Sequence, residues 1–284
     1  MKTAIRTELY KVVHNRMLYI AIAVGLAVCA GDVIENILNM QFFNGEIEWM
    51  LTTHYRVRSG HTGYSLFYLW MGIHSPSTCG SIFHLIWPVI AAMAYGWSYN
   101  NERRSGVYNQ ITVRTSPKAY YIAKYIGVFV SGGLAVSIPL LIDLLVNALI
   151  IPYDIPFIGT VPNGYFLSEF FYTSPWAYGL IWCGIVFLLG GAAACFCFVA
   201  GTKLRHGVMI VLIPYALYVA IDAILYGFFT NLMLDVNLML SPLWLTRAVT
   251  NLPNPEWFLF TFLAVQVGIS FSIGYWQVVK HELV

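Results

Sequence analysis

The sequence predicts an all-α integral membrane protein: six transmembrane helices, an amphipathic amino-terminal helix, and extracellular re-entrant or interfacial helices. Three observations carry this. Hydrophobic residues make up 59% of the chain and charged residues 10%, with mean hydropathy +0.69, where a soluble domain carries about 25% charged residues. Six apolar segments approach the roughly 20 residues that a helix needs to cross a bilayer. The basic residues, finally, are unevenly shared among the connectors.

The first element is amphipathic. In MKTAIRTELYKVVHNRMLYI, apolar Ile5, Leu9, Val12, Val13 and Met17 recur at helical spacing beside Arg6, Lys11, His14 and Arg16. Residues 1–16 therefore read as a helix lying in the cytoplasmic interface before the first span. A basic start followed by an apolar run also fits a cleaved signal peptide, and Leu26-Ala27-Val28-Cys29 is a distant match to a lipoprotein box. With five apolar segments downstream, an uncleaved first span is the expectation.

The spans are expected at Met17 to about Ile37, Gly80–Ser98, Tyr120–Ile151, Trp176–Gly201, Gly207–Thr230 and Trp257–Val279. Asp32 and Glu35 shorten the apolar part of the first, so its end should project beyond the hydrocarbon. Pro139, Pro88 and Pro214 are candidate kinks in spans three, two and five. With both termini inside, 12 of the 15 Lys and Arg fall on the cytoplasmic side: Lys2, Arg6, Lys11, Arg16, Arg103, Arg104, Arg114, Lys118, Lys124, Lys203, Arg205 and Lys280. Arg56, Arg58 and Arg247 fall outside. Positive residues stay inside, so this orientation is expected, in the cell membrane.

The outer connectors contain apolar stretches too short to span: YSLFYLWMGIH (64–74), GYFLSEFFY (164–172) and NLMLDVNLMLSPLWLTRAV (231–249). They read as a structured cap, with a re-entrant segment at 231–251. One membrane domain accounts for residues 1–284. Net charge +2 gives no reason to expect a nucleic-acid partner. Cys29, Cys183, Cys195 and Cys197 lie in apolar runs as small hydrophobes, and Cys79 makes the total odd, so no disulfide framework is implied. His54, His61, His74 and His84 match no common zinc spacing.

NERRSGVYNQITVRTSPKAYYIAK (101–124) places five of the Lys and Arg in one short connector. It resembles the segment after the second span of ABC-2 type transporter permeases, the membrane subunits of a class of ATP-binding cassette transporters. That pattern runs Glu, three residues, Gly, a stretch toward Thr and Pro, then Lys or Arg at the next span. Here it is supplied by Glu102, Gly106, Thr115, Pro117 and Lys124. Val107 departs from the usual Thr, and Asn109 and Gln110 stand among expected aliphatics. ELYK at 8–11 followed by Arg16 is similar to the connecting helix that opens many such permeases.

The resemblance implies a type V exporter-like fold that pairs with a second permease, itself or a sibling, and binds two cytoplasmic ATPase subunits holding ATP and Mg. It implies coupling through 101–119 (Glu102, Arg103, Arg104, Gly106, Arg114, Thr115, Pro117, Lys118) and through Glu8, Lys11 and Arg16 of the interfacial helix. The expected cargo is amphipathic: a peptide, a lipid-like molecule or a drug. Gly106 would supply a backbone turn and Pro117 a stop. The basic side chains would meet acidic groups on a partner or anionic lipid headgroups.

An ATPase needs a Gly-rich loop ending in Gly-Lys-Ser/Thr, and the chain has no Gly-Lys pair; it is therefore expected not to be an enzyme and to bind no cofactor. SGGL (131–134) superficially matches the ABC ATPase signature but lies in an apolar span, where small residues serve helix packing. GGAAACFCFVAG (190–201) reads the same way. Asp143 and Asp222 are ionisable groups at bilayer depth and are candidates for a translocation path or a polar helix contact. They keep an ion-coupled secondary transporter open as an alternative, alongside a non-transporting sensor or assembly subunit. An intramembrane aspartyl protease would need paired carboxylates, and Gly-x-Gly-Asp is absent at both positions.

Overall fold

The computed structural model describes residues 1–52, 66–74, 77–151, 161, 165–204, 206–232, 241–249 and 256–280. Among them there are only helices and connectors, no strands. In chain order the helices are α1 (Lys2–Val13), α2 (Arg16–Thr52), α3 (Leu66–Leu69), α4 (Met71–His74), α5 (Thr78–Tyr95), α6 (Ser98–Arg104), α7 (Val107–Arg114), α8 (Pro117–Ile150), α9 (Ser168–Thr173), α10 (Pro175–Lys203), α11 (Gly207–Leu232) and α12 (Glu256–Tyr275). A 3-10 turn (Leu243–Thr246) precedes α12, and a π-helical turn (Trp276–Lys280) follows it. Arg56, Arg58, Arg205, His54 and His61 lie outside the described residues, as do 233–240 and 250–251 of the expected re-entrant segment.

Among the described residues six helices are long and apolar enough to cross a membrane: Arg16–Asn39, Thr78–Arg104, Pro117–Ile150, Pro175–Lys203, Gly207–Leu225 and Glu256–Val279. They correspond one for one to the expected spans. The largest differences are extensions: α2 runs on to Thr52, and the second span bends at Gly96 and Trp97 and continues as α6 to Arg104. At 37 residues α2 is about 55 Å long, well beyond a hydrocarbon core.

The bundle is built around α10. Of its most apolar stretch 72% is buried, against 22% for α11, whose Val208, Leu212 and Ile224 are exposed. An apolar face turned outward is the expected arrangement where lipid is the solvent. α8 and α10 approach through the two small-residue runs: a Cβ at Gly190 would sit 2.8 Å from the Gly132 carbonyl oxygen, and one at Gly191 2.7 Å from that of Phe129. Backbone-to-backbone contact of this closeness forbids a side chain. Gly25 on α2 likewise leaves room for the Pro139 ring on α8.

Two caps fix where helices begin. Ser116 accepts a hydrogen bond from Ala119 N (3.3 Å) with Pro117 at the first position of α8, and Ser77 accepts one from Gly80 N (2.9 Å) at the start of α5. Pro117 thus starts a span. Its expected stop falls earlier, where Thr115 and Ser116 are extended ahead of the proline.

The short apolar helices α3 and α4 are packed into the bundle end. Phe67, Trp70, Met71 and Ile73 are fully buried. Trp70 Nε1 donates to the Leu140 carbonyl (3.2 Å), Trp87 Nε1 to that of Leu243 (2.9 Å) and Trp182 Nε1 to that of Thr246 (3.0 Å). His84 bridges Met71 O and Thr246 Oγ1, each at 2.8 Å. Because a carbonyl only accepts, Nε2 carries the proton. Backbone bonds from Ala248 N to Gly72 O and from Val249 N to Ile73 O join the two cap segments. Irregular backbone within a membrane protein must be satisfied by protein in this way.

Gly190→Val places branched carbons against the Gly132 carbonyl. We expect it to destabilise the bundle by about 1–3 kcal/mol and lower the melting temperature in detergent; Gly184→Val, where a Cβ meets nothing within 4 Å, should not.

Candidate functional site

At the bundle end that carries α1, four charged residues from three separate parts of the chain meet. Lys124, on the first turns of α8, is fully buried. Its Nζ lies 2.9 Å from Glu102 Oε1, 3.3 Å from Glu8 Oε2 and 3.2 Å from the Tyr95 hydroxyl. The same ammonium stands 4.5 Å from the centre of the Tyr95 ring. Lys11 closes the circuit, donating to Glu8 Oε1 at 2.6 Å and to Glu102 Oε1 at 3.1 Å. Tyr95 OH donates to Glu8 Oε2 (3.1 Å) and Tyr120 OH to Glu102 Oε2 (2.5 Å). Two carboxylates therefore face two ammonium groups, with both tyrosine hydroxyls completing the oxygens.

Local sequence explains each placement. Glu8 and Lys11 share a face of α1 by their i, i+3 spacing. Glu102 follows the bend after Tyr95, and Lys124 stands one turn beyond Tyr120. Gly127, one turn further on, admits α1: a Cβ there would meet Val12 at 3.4 Å and Glu8 at 3.6 Å. The buried side of α1 is consequently Glu8 and Val12, while Val13 and Tyr10 are exposed. α1 thus rests on α8 through a salt-bridged face, while Ile5, Leu9 and Met17 of the expected apolar stripe are half-buried and Val13 is exposed. Asn15 separates α1 from α2, accepting from Met17 N (3.2 Å) and donating to the Ala94 carbonyl (2.8 Å). Arg16 is exposed at the start of α2 and takes no part in the charge cluster.

Half-burial of Lys11 opposes its charged form, but the hydrogen bond to Glu8 and the charges of Glu102 and Glu8 outweigh it, so its pKa is raised. The stability linked to this shift is complete below the ordinary lysine value and is lost only as pH climbs through the raised one.

The connector itself is two short helices joined by a turn. Gly106 has φ 75°, the left-handed conformation that a side chain disfavours. Tyr108 anchors α7 edge-on to Tyr99 and Tyr120, with ring centres 5.7 and 5.3 Å away. Asn109 and Gln110 then face outward, which accounts for polar residues where the family pattern has aliphatics. Arg103, Arg104, Arg114 and Lys118 are exposed. Arg103 Nη1 also donates to the Thr202 carbonyl at the end of α10 (3.2 Å), and Asn100 Nδ2 to that of Leu204. A groove of about 510 Å³ runs between α1 and the α7–α8 corner, lined by Thr7, Lys11, Arg114 and Ser116 among others.

The two membrane aspartates do not come together. Asp222 on α11 accepts from Ser241 Oγ beside the 3-10 turn, whereas Asp143 on α8 faces α2, near Asp32. Lys124, Tyr95 and Tyr120 belong to the cluster but lie outside the coupling segment as read from sequence. A basic residue one turn into a span, with tyrosines around it, was the available signal. Among the described residues no group of three or more His, Cys, Asp and Glu side chains is placed to hold a metal ion.

Fold and site together define a helical protein with, among the described residues, six helices long and apolar enough to cross a membrane and an amino-terminal helix held to a polar connector by a buried ion cluster. No protein-family model, curated protein or solved structure matches the chain.

Removing one member of a buried ion network strands the others. Lys124→Gln should cost about 3–5 kcal/mol, read as a lowered melting temperature in detergent. Lys118→Gln, on the exposed side of the connector, should leave it unchanged.

Proposed function

We propose that the chain is the permease subunit of an ABC exporter of the ABC-2 type. It would pair with a second permease, itself or a sibling, and with two cytoplasmic ATPase subunits that hold the ATP and Mg. The observation that carries this reading is the cluster of Glu8, Lys11, Glu102 and Lys124. It joins to one rigid span the two elements that the resemblance assigns to coupling, the amino-terminal helix and residues 101–119. Force applied to either element reaches α8 without passing through a flexible link. Through the Gly132–Gly190 contact it passes on to α10 at the centre of the bundle.

In this reading the α1 end faces the cytoplasm of the cell membrane, in keeping with the excess of basic residues there. The ATPase docks on α7 and the groove beside it, where Val113 is 87% exposed between Arg114 and the polar side of α7. A flat exposed valine ringed by basic and amide side chains fits a protein surface with a small apolar spot and acidic rim. The cargo is an amphipathic peptide, lipid-like molecule or drug, moved outward along the permease interface.

The test is affinity purification from the native membrane with crosslinking, followed by an ATP hydrolysis assay. We expect a stoichiometric ATPase that is lost when 107–114 is replaced. Gly106→Val, strained at its positive φ, should leave insertion intact and uncouple ATP hydrolysis from transport. Purification of the chain without any ATPase after crosslinking would overturn the proposal and favour an ion-coupled carrier.

A further inference from the structure

A second polar layer is buried at the opposite end of the bundle, beneath the cap. The sequence carries the same pattern twice: DVIEN (32–36) on α2 and DLLVN (143–147) on α8, each with Asp and Asn one helical turn apart. The two helices run side by side in the same direction, and their register is fixed one turn earlier, where Cys29 Sγ donates to the Pro139 carbonyl at 3.3 Å. Asp32 is one turn beyond Cys29 and Asp143 one turn beyond Pro139, so the two patterns lie level.

Asp32, Asn36 and Asn147 are fully buried and Asp143 is 1% exposed. Asp32 is satisfied: Ser77 Oγ donates to one carboxylate oxygen and Asn36 Nδ2 to the other at 2.9 Å. The α8 half is not. The Met71 backbone and Asn147 stand beside Asp143, yet neither carboxylate oxygen has a hydrogen bond of normal geometry, and the same holds for both polar atoms of Asn147 and for Asn36 Oδ1. Among the described residues four side-chain oxygens without a donor of normal geometry thus share one buried layer, and the donors beside them are Asn147 Nδ2, itself unpartnered, and the Met71 N–H.

The charge balance points the same way. Among the described residues the charged group that acts on the pair from outside is Glu35 of α2, and no lysine or arginine acts on either carboxylate. Glu35 itself accepts the Cys79 backbone N–H at 2.8 Å. Two carboxylates at this depth without a counter-charge are strongly unfavourable. Buried acceptor oxygens that lack donors are unfavourable too. A hard cation relieves both, because carboxylate and amide oxygens are the ligands it selects. The cap meets the layer through Leu69, whose carbonyl accepts from Asn36 Nδ2 at 3.4 Å, and through the Met71 backbone beside Asp143, and the full burial of these side chains gives a dry setting.

We propose that Asp143 and Asn147 of α8, with Asn36 and Asp32 of α2, bind a sodium ion beneath the cap, fastening the first and third spans together. Asp143, Asn147 and Asn36 supply the unpartnered oxygens, and Asp32, held by Ser77 and Asn36, supplies field. The site is independent of the transport reading, since an ion that clamps two spans would be detected alike in a permease, a carrier or a sensor.

The test is the melting temperature of the purified full-length protein in detergent, with NaCl titrated against choline chloride at constant ionic strength and KCl as a second comparison. We expect a saturable rise of about 3 °C or more that sodium gives and choline does not. Asn147→Ala should raise the sodium concentration at half-effect at least tenfold, and Asp143→Asn should abolish the response. Because the wild-type titration stands alone, failure of a variant to fold leaves the test intact. Superposed sodium and choline curves would overturn the proposal. So would stabilisation by acid with no sodium response, which would mean a proton shared between Asp32 and Asp143.

Discussion

The ammonium of Lys124 is the constraint on which the α1 end of this molecule depends. A lysine fully out of solvent is tolerable only where its charge is met and its three donors are used, and here Glu8, Glu102 and Tyr95 do both. Each partner comes from a different element. Satisfying one side chain therefore fixes α1, the end of the second span and the start of the third relative to one another. Lys11, half-exposed, balances the second carboxylate, so the cluster is neutral and its interior is hydrogen-bonded throughout. Ion networks that complete in this way are stiff, because losing any one member leaves an uncompensated charge.

The same logic operates at the other end with different chemistry. There, indole N–H groups and one histidine satisfy the carbonyls of the short cap helices, and small residues let α8 and α10 touch through their backbones. The cap rests on Leu140 through Trp70, so the third span carries both ends: Lys124 at its start, Gly132 in its middle, and Leu140, Asp143 and Asn147 toward its close. A movement that tilted α8 would be felt at all of these together. That is the physical content of assigning it a transmitting role.

Much of the fold was legible in the sequence because a bilayer imposes a length and a composition on every span. The last four spans fall within a few residues of their expected limits while the first two helices run on beyond theirs, and Gly106 takes the left-handed turn its type allows. The small-residue runs also pack as expected. The connector's function is a different matter: Glu102 was singled out by resemblance, but its partner Lys11 was not readable, because a contact over 91 positions of sequence depends on tertiary placement. The face of α1 that meets α8 was not readable for a similar reason. Apolar periodicity marks the side that lipid or core can cover, whereas Glu8 meets α8 through a complementary charge. Asp32 was read only as a limit on the first span, although the repeated Asp-x-x-x-Asn spacing at 32 and 143 was present to be noticed.

The central claim, that buried charge at Lys124 holds α1 against the bundle, is most directly tested by amide hydrogen exchange over residues 2–13 in detergent. In the wild type these amides should exchange slowly, at rates close to those of the first turns of α8. In Lys124→Gln they should exchange like an undocked helix while the middle of α10 stays protected. Unchanged protection of α1 in that variant would contradict the account and assign its docking to Val12 and apolar contact alone.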